Sequence, residues 1–155
     1  MCLLLRNTHS LGFTVIELLA VMVIMGTLSG LAIPRLHDAI DQAKVARAIG
    51  DIRTMQAELM GVEGTQEGLP ETLAGIGRAG MLDPWGNPYI YVKFPKGGGN
   101  SGKRKDRFLV PLNSTFDLVS MGKDGQTSTA LTSSSARDDI VRADDGGYVG
   151  LAQKF

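Results

Sequence analysis

The chain has a single cysteine, Cys2, so no intramolecular disulfide can staple the fold, and stability must come from packing or a bound ion. An excess of one charge is missing as well. The 16 basic residues balance 16 acidic ones, which removes the electrostatic reason for a nucleic-acid partner, and none is expected. Past Gly12 the only histidine is His37, and neither a G-x-S-x-G nor an H-E-x-x-H motif occurs. That leaves common hydrolases without their equipment, and paired aspartates in loops define no reaction by themselves, so the chain reads as a non-enzyme. A length of 155 residues suits one domain plus an anchor.

Ionisable side chains are also absent from Leu18 to Pro34. As helix, Phe13 to Leu36 spans roughly 36 Å, enough for a ~30 Å hydrocarbon core. On hydropathy alone a plain signal anchor or a buried helix is the favoured reading. The order of the preceding residues is unusual: Arg6 and the polar stretch Asn7 to Ser10 come first, and the small residue Gly12 stands before the apolar run. A secretory signal puts its apolar region first and its small-residue cleavage site after it.

Glu17 lies near one end of the apolar run, where a carboxylate costs about 2.5–3.5 kcal/mol at mid-bilayer and less towards the interface. A cut after Gly12 gives Phe13 a free α-amino group one turn away, in the same chain or in a neighbour. A glutamate that snorkels to water also accounts for it. Gly26, Gly30 and Pro34 recur at every fourth position, and the proline ring crowds the carbonyl of Gly30, so the span can bend or unwind there. The Gly26/Gly30 pair also permits close helix approach, a weaker reading because such pairs are frequent by chance.

Gly12-Phe13-Thr14-Val15-Ile16-Glu17-Leu18-Leu19 resembles the prepilin cleavage signature of type IV pilins and pseudopilins. The resemblance implies that a prepilin peptidase cuts between Gly12 and Phe13 and methylates the new N-terminal Phe13, and that Glu17 registers an incoming subunit against its neighbour's amine. Family leaders are usually richer in Lys and Arg than this one, which has Arg6 alone. The expected organisation is a cleaved leader over residues 1–12, a transmembrane and filament-core helix over 13–36, and a periplasmic globular domain over 37–155.

Beyond Pro34 the pattern turns amphipathic: Leu36, Ile40, Ala43, Ala46, Ile49, Ile52, Met55 and Leu59 recur every three or four residues, with a solvated face of mixed charge between them. Gly61 and Gly64 are expected to close the helix. Phe13 to Met60 would then run about 72 Å, the length of a stalk. A short helical piece is expected at Glu71 to Ile76. Strands are expected at Tyr89 to Phe94, Arg107 to Val110 and Phe116 to Ser120, with a weaker one at Gly147 to Leu151. The basic, glycine-rich stretch Lys96 to Lys105 reads as a surface hairpin tip able to touch an acidic partner, and it lacks the spacing of a phosphate loop.

Asp83-Pro84-Trp85-Gly86-Asn87-Pro88 dictates tight turns around the sole tryptophan, whose apolar face pins the loop to the domain. Together with Tyr89-Ile90-Tyr91-Val92 it resembles the major pseudopilins of type II secretion systems. That resemblance implies an α+β, type IV pilin-like fold, with a long N-terminal helix packed on a small antiparallel sheet. It implies a subunit anchored in the inner membrane by one span, with its domain in the periplasm, that polymerises into a periplasmic pseudopilus. The expected partners are further copies of itself, minor pseudopilins, the prepilin peptidase, the inner-membrane assembly platform and, before assembly, membrane lipid. The alternative is the major subunit of a type IV pilus for motility, adhesion or DNA uptake.

One cofactor is expected from the same resemblance. Aspartates in Ser/Thr/Gly-rich loops ordinarily cap turns, and no EF-hand spacing occurs here. In the major pseudopilins, however, a similar Ser-Leu-Gly-x-Asp-Gly segment and a later Asp-x-Asp-Ile or Asp-Asp-Ile hold one calcium. Ser120-Met121-Gly122-Lys123-Asp124-Gly125 and Asp138-Asp139-Ile140 match them. By resemblance Asp124, Asp138 and Asp139 are ligands, joined by the backbone carbonyl of Met121. The insert Thr127 to Arg137 is longer than in the family, and Arg137 is a cation that must point away from such a site.

Overall fold

Thr14 starts the one long helix of the computed structural model, which describes residues 12–65, 68–95 and 97–155. Met1 to Leu11, the body of the expected leader, and Lys96 lie outside the described residues. Helix α1 (Val15–Thr65) is capped reciprocally. The Thr14 hydroxyl accepts the Glu17 N–H at 3.3 Å, while the Glu17 carboxylate accepts the Thr14 N–H at 3.2 Å. This is a capping box, in which two orphan donors of the first turn satisfy each other's residues. At its other end α1 continues through Gly61 and Gly64 to Thr65, beyond the expected stop, because a glycine inside a helix costs only about 1 kcal/mol.

The chain divides into two compact units, one ending at Ile40 and one running Asp41–Phe155. In the first, the apolar side chains of α1 are exposed throughout. Val15, Met22 and Leu31 each leave 71–75% of their surface open. By length and composition this stretch can cross a membrane.

In the second unit four strands, β1 (Ile90–Lys93), β2 (Phe116–Ser120), β3 (Ile140–Ala143) and β4 (Tyr148–Leu151), form an antiparallel meander in chain order. Its register pairs Ile90 with Val119, Val119 with Val141, and Ile140 with Leu151. Ala48, Ile52, Met55 and Leu59 of α1 are fully buried against Phe116, Leu118, Ile140 and Val149. Each of the larger ones contributes about 1.5–3 kcal/mol by leaving water. Ala43 and Ala46 are exposed; the buried arc runs through Val45 and Ala48 instead, and two small side chains lose little by lying outside it.

The opposite sheet face is also covered. Val119, Val141 and Ala143 pack with Leu112, Leu131 and Ala152 into a second core, so every residue of β2 and β3 is buried. The residues Arg107 to Val110 form no strand. The Asp106 N–H closes a turn on the Leu109 carbonyl at 3.0 Å, and Phe108 is left 96% exposed. Pro111 follows directly and has no N–H for a ladder. The third strand is β3, a segment without an alternating pattern. A single turn of 3-10 helix at Leu73–Ile76 takes the place of the expected helical piece.

Candidate functional site

Two places bear on function: the start of α1 and the loop between β2 and β3. At the first, Gly12 and Phe13 lie ahead of the helix and are exposed, Phe13 to 79%. Glu17 is already engaged, because its Oε2 accepts both the Thr14 N–H and the Thr14 hydroxyl at 3.2 Å. The sequence suggested no partner for this carboxylate short of a new amine. Within the chain its neighbour three residues back is a partner, and the Thr-x-x-Glu spacing was the available signal.

The second place is built on the turn that holds Trp85. Asp83 Oδ1 accepts the N–H groups of Trp85 and Asn87 at 3.0 and 2.8 Å, and its Oδ2 accepts the Ser120 hydroxyl at 2.6 Å. Trp85 is half-buried and packs against the core under the helix. Tyr89 donates its hydroxyl to Asp51 on α1 at 2.9 Å, and Tyr91 donates to the Pro70 carbonyl at 2.9 Å. Burial, reinforced by the Asp51 carboxylate, raises the Tyr89 hydroxyl far above its usual pKa; burial with Glu71 and Glu63 nearby pushes Tyr91 up to about 12. Both are neutral donors at any physiological pH, and their role is to tie helix, loop and β1 together.

The predicted ligand residues follow Ser120. Gly122 adopts φ +65° and packs so closely on the Asp138 backbone that a Cβ would collide with the Asp138 carbonyl. This contact brings the two ends of the loop together. Asp138 Oδ2 then accepts the N–H groups of Lys123 and Asp124 at 2.8 and 3.0 Å, and Asp124 Oδ1 accepts the Gln126 N–H at 2.8 Å. Asp124 and Asp138 therefore meet. Asp139 turns the other way and is fully buried; its Oδ2 accepts the Thr127 hydroxyl and lies 3.4 Å from Arg104 Nη1. Its Oδ1 is buried without a hydrogen-bond partner. Among the described residues no three His, Cys, Asp or Glu side chains converge on one point. Met121 is half-buried.

Burial pushes the Asp139 carboxyl up to about 6, with Asp138 and Asp124 adding to the rise and the Thr127 hydroxyl and Arg104 opposing it. The cation beside Asp139 is Arg104, while Arg137, which a calcium site requires to point away, is exposed. A second buried polar group lies on the same sheet: Arg142 stacks on the Phe116 ring at 4.0 Å and donates to the Phe116 carbonyl at 3.0 Å. Asn113 donates to Asp117 and to the Arg142 carbonyl, each at 2.8 Å. Nothing local in the sequence marks Arg104, Thr127, Asn113 or Arg142, because each is recruited across a long stretch of chain.

Comparison with known proteins gives a consistent picture. The chain is 33% identical over 143 residues to the type II secretion system core protein G of Pseudomonas aeruginosa, covering 79% of this chain and 89% of that protein. It is 29% identical over 139 residues to the protein of that name from Escherichia coli K12, covering 76% and 85%. A third, from Klebsiella michiganensis, is 28% identical over 141 residues, covering 91% and 93%. No protein-family model matches the chain, and no solved structure matches it.

Proposed function

Since this chain belongs to the family of type II secretion system core protein G, the major pseudopilins, we propose that it is the subunit that polymerises into the periplasmic pseudopilus driving protein export. The observation that carries this reading is the match to the relatives along most of both chains, which favours the secretion filament over a type IV pilus. The exposed apolar half of α1 supports it physically, since such a surface needs lipid or other helices around it. The helix serves as an inner-membrane anchor before assembly and as the filament core afterwards, with Asp41–Phe155 in the periplasm. Its partners are further copies of itself, minor pseudopilins, the prepilin peptidase and the assembly platform. A strain lacking this chain should retain its exported proteins in the periplasm and regain export when the chain is restored. Undiminished export without it would overturn the reading.

A structural calcium ion is part of the proposal. The buried Asp139 Oδ1 without a partner supports a cation, and carboxylate and carbonyl oxygens are the donors a hard ion such as calcium takes. Asp124, Asp138, Asp139 and the Met121 carbonyl would hold it. The ion would cross-link the β2–β3 loop to the sheet in a chain that has no disulfide.

A further inference from the structure

We infer that Arg104 is a built-in cation that keeps the loop from Met121 to Asp139 folded without a bound divalent ion. The guanidinium is 6% exposed and the Asp139 carboxylate fully buried. Arg104 Nη1 donates to the Ser128 carbonyl at 2.6 Å and lies 3.4 Å from Asp139 Oδ2, and Nη2 donates to the Thr127 hydroxyl oxygen at 2.8 Å. The Thr127 hydroxyl in turn donates a hydrogen bond to Asp139 Oδ2. One positive group thus gathers a carbonyl, a hydroxyl and a carboxylate from both ends of the insert. A divalent ion would collect the same kinds of oxygen, and the planar fork of Arg suits it to the task in a way a lysine is not.

The backbone under Arg104 is fixed independently. Its N–H donates to Asp117 Oδ2 at 3.2 Å, and its carbonyl accepts the Leu112 N–H at 2.9 Å. The next residue, Lys105, exchanges hydrogen bonds of 2.8 and 3.0 Å with Thr129 and Leu131. The basic stretch is therefore a brace, laid from the Asp117 side chain of β2 onto the insert, and only its first part reads as a solvent-facing tip. Asp139 N–H and carbonyl are held by Ala136 and Ala152 at 3.3 and 2.9 Å, which fixes the far side of the pair. A guanidinium at this position also repels a second cation on the same carboxylate, so any calcium bound there is held more weakly than it would be beside a neutral residue.

The inference goes beyond the calcium reading above, and one experiment separates the two. The full chain in detergent is melted in chelator and in excess calcium, with Trp85 fluorescence as the probe, alongside Arg104→Gln. The unmutated chain is expected to stay folded in chelator and to melt only a little higher in excess calcium, by the mass action of one weakly held ion, and Arg104→Gln to melt lower in chelator by roughly 5–10 °C. Recovery of Arg104→Gln in calcium supports both readings, while a low melting point that calcium leaves unchanged supports the brace and overturns the calcium site. A marked loss for the unmutated chain in chelator, or an Arg104→Gln chain that melts like it in chelator, overturns the brace. Should Arg104→Gln not accumulate, hydrogen exchange of the unmutated chain in chelator decides the matter: protection at Lys105, Leu131 and Asp139 supports it, and rapid exchange there refutes it.

Discussion

Asn87 donates its side-chain amide to the Gly122 carbonyl at 2.9 Å, joining the tryptophan turn to the mouth of the β2–β3 loop. Gly122 therefore serves two neighbours, since its Cα also rests against the Asp138 backbone at φ +65°. Gly122→Ala should destabilise the domain by about 1–3 kcal/mol, through the left-handed backbone and the collision together. Asn87→Ala should cost about 1 kcal/mol, the worth of one hydrogen bond. Denaturant titration of the full chain in detergent measures both, and a Gly122→Ala loss no larger than that of Asn87→Ala would contradict the close approach.

Removal of the Glu17 carboxylate separates folding from assembly. Glu17→Ala should leave Asp41–Phe155 folded, since the capping box lies in the other unit, and cost about 1 kcal/mol of fraying at the start of α1. Filament yield, scored by shearing and electron microscopy, should fall sharply, because the charge pairing with a neighbour's amine is lost. Filaments at the normal yield would count against that pairing.

Processing is checked by mass. The chain recovered from filaments should lack Met1 to Gly12 and carry one methyl group on Phe13. An intact leader in assembled filaments is the contrary result.

Acid should weaken the domain in part through Asp145. Burial tends to raise its carboxyl, but the Ser114 hydroxyl and N–H at 2.7 and 2.9 Å, with Arg142, outweigh this and hold it below its ordinary value. A lowered native pKa means that the ionised group stabilises the fold at all pH values above its unfolded pKa of about 4, and that this is lost as pH falls through the native value. Asp145→Asn should melt below the unmutated chain at pH 7, with the gap closing under acid. Asn also tolerates the left-handed backbone there, φ +48°, so the difference reports charge. A gap independent of pH would remove Asp145 from the account.

The legible parts of this fold carry local signals. The charge-free run and the apolar periodicity after Pro34 marked α1, and Asp83 to Pro88 marked a turn whose closing hydrogen bonds are between near neighbours. β3 was not legible. Ile140-Val141-Arg142-Ala143 has no polar alternation because both faces of the sheet are covered, and its charged residue is buried by a ring and a carbonyl some 26 positions away. Phe108-Leu109-Val110 failed in the other direction, since its composition favours a strand while Pro111 denies it a ladder. In the loop, the aspartates were legible by their motif, but Arg104 was not, because its partner lies 35 positions on.

The sheet is four strands wide, and its two outer members are only four residues each. An edge that short offers little template for another chain's strand, and Lys93 at the end of β1 blunts it further. A subunit that self-associates runs a standing risk of cross-β aggregation, and here that route is narrow. In the filament proposed above, growth would then fall to the exposed apolar helix rather than to chance encounters between sheets.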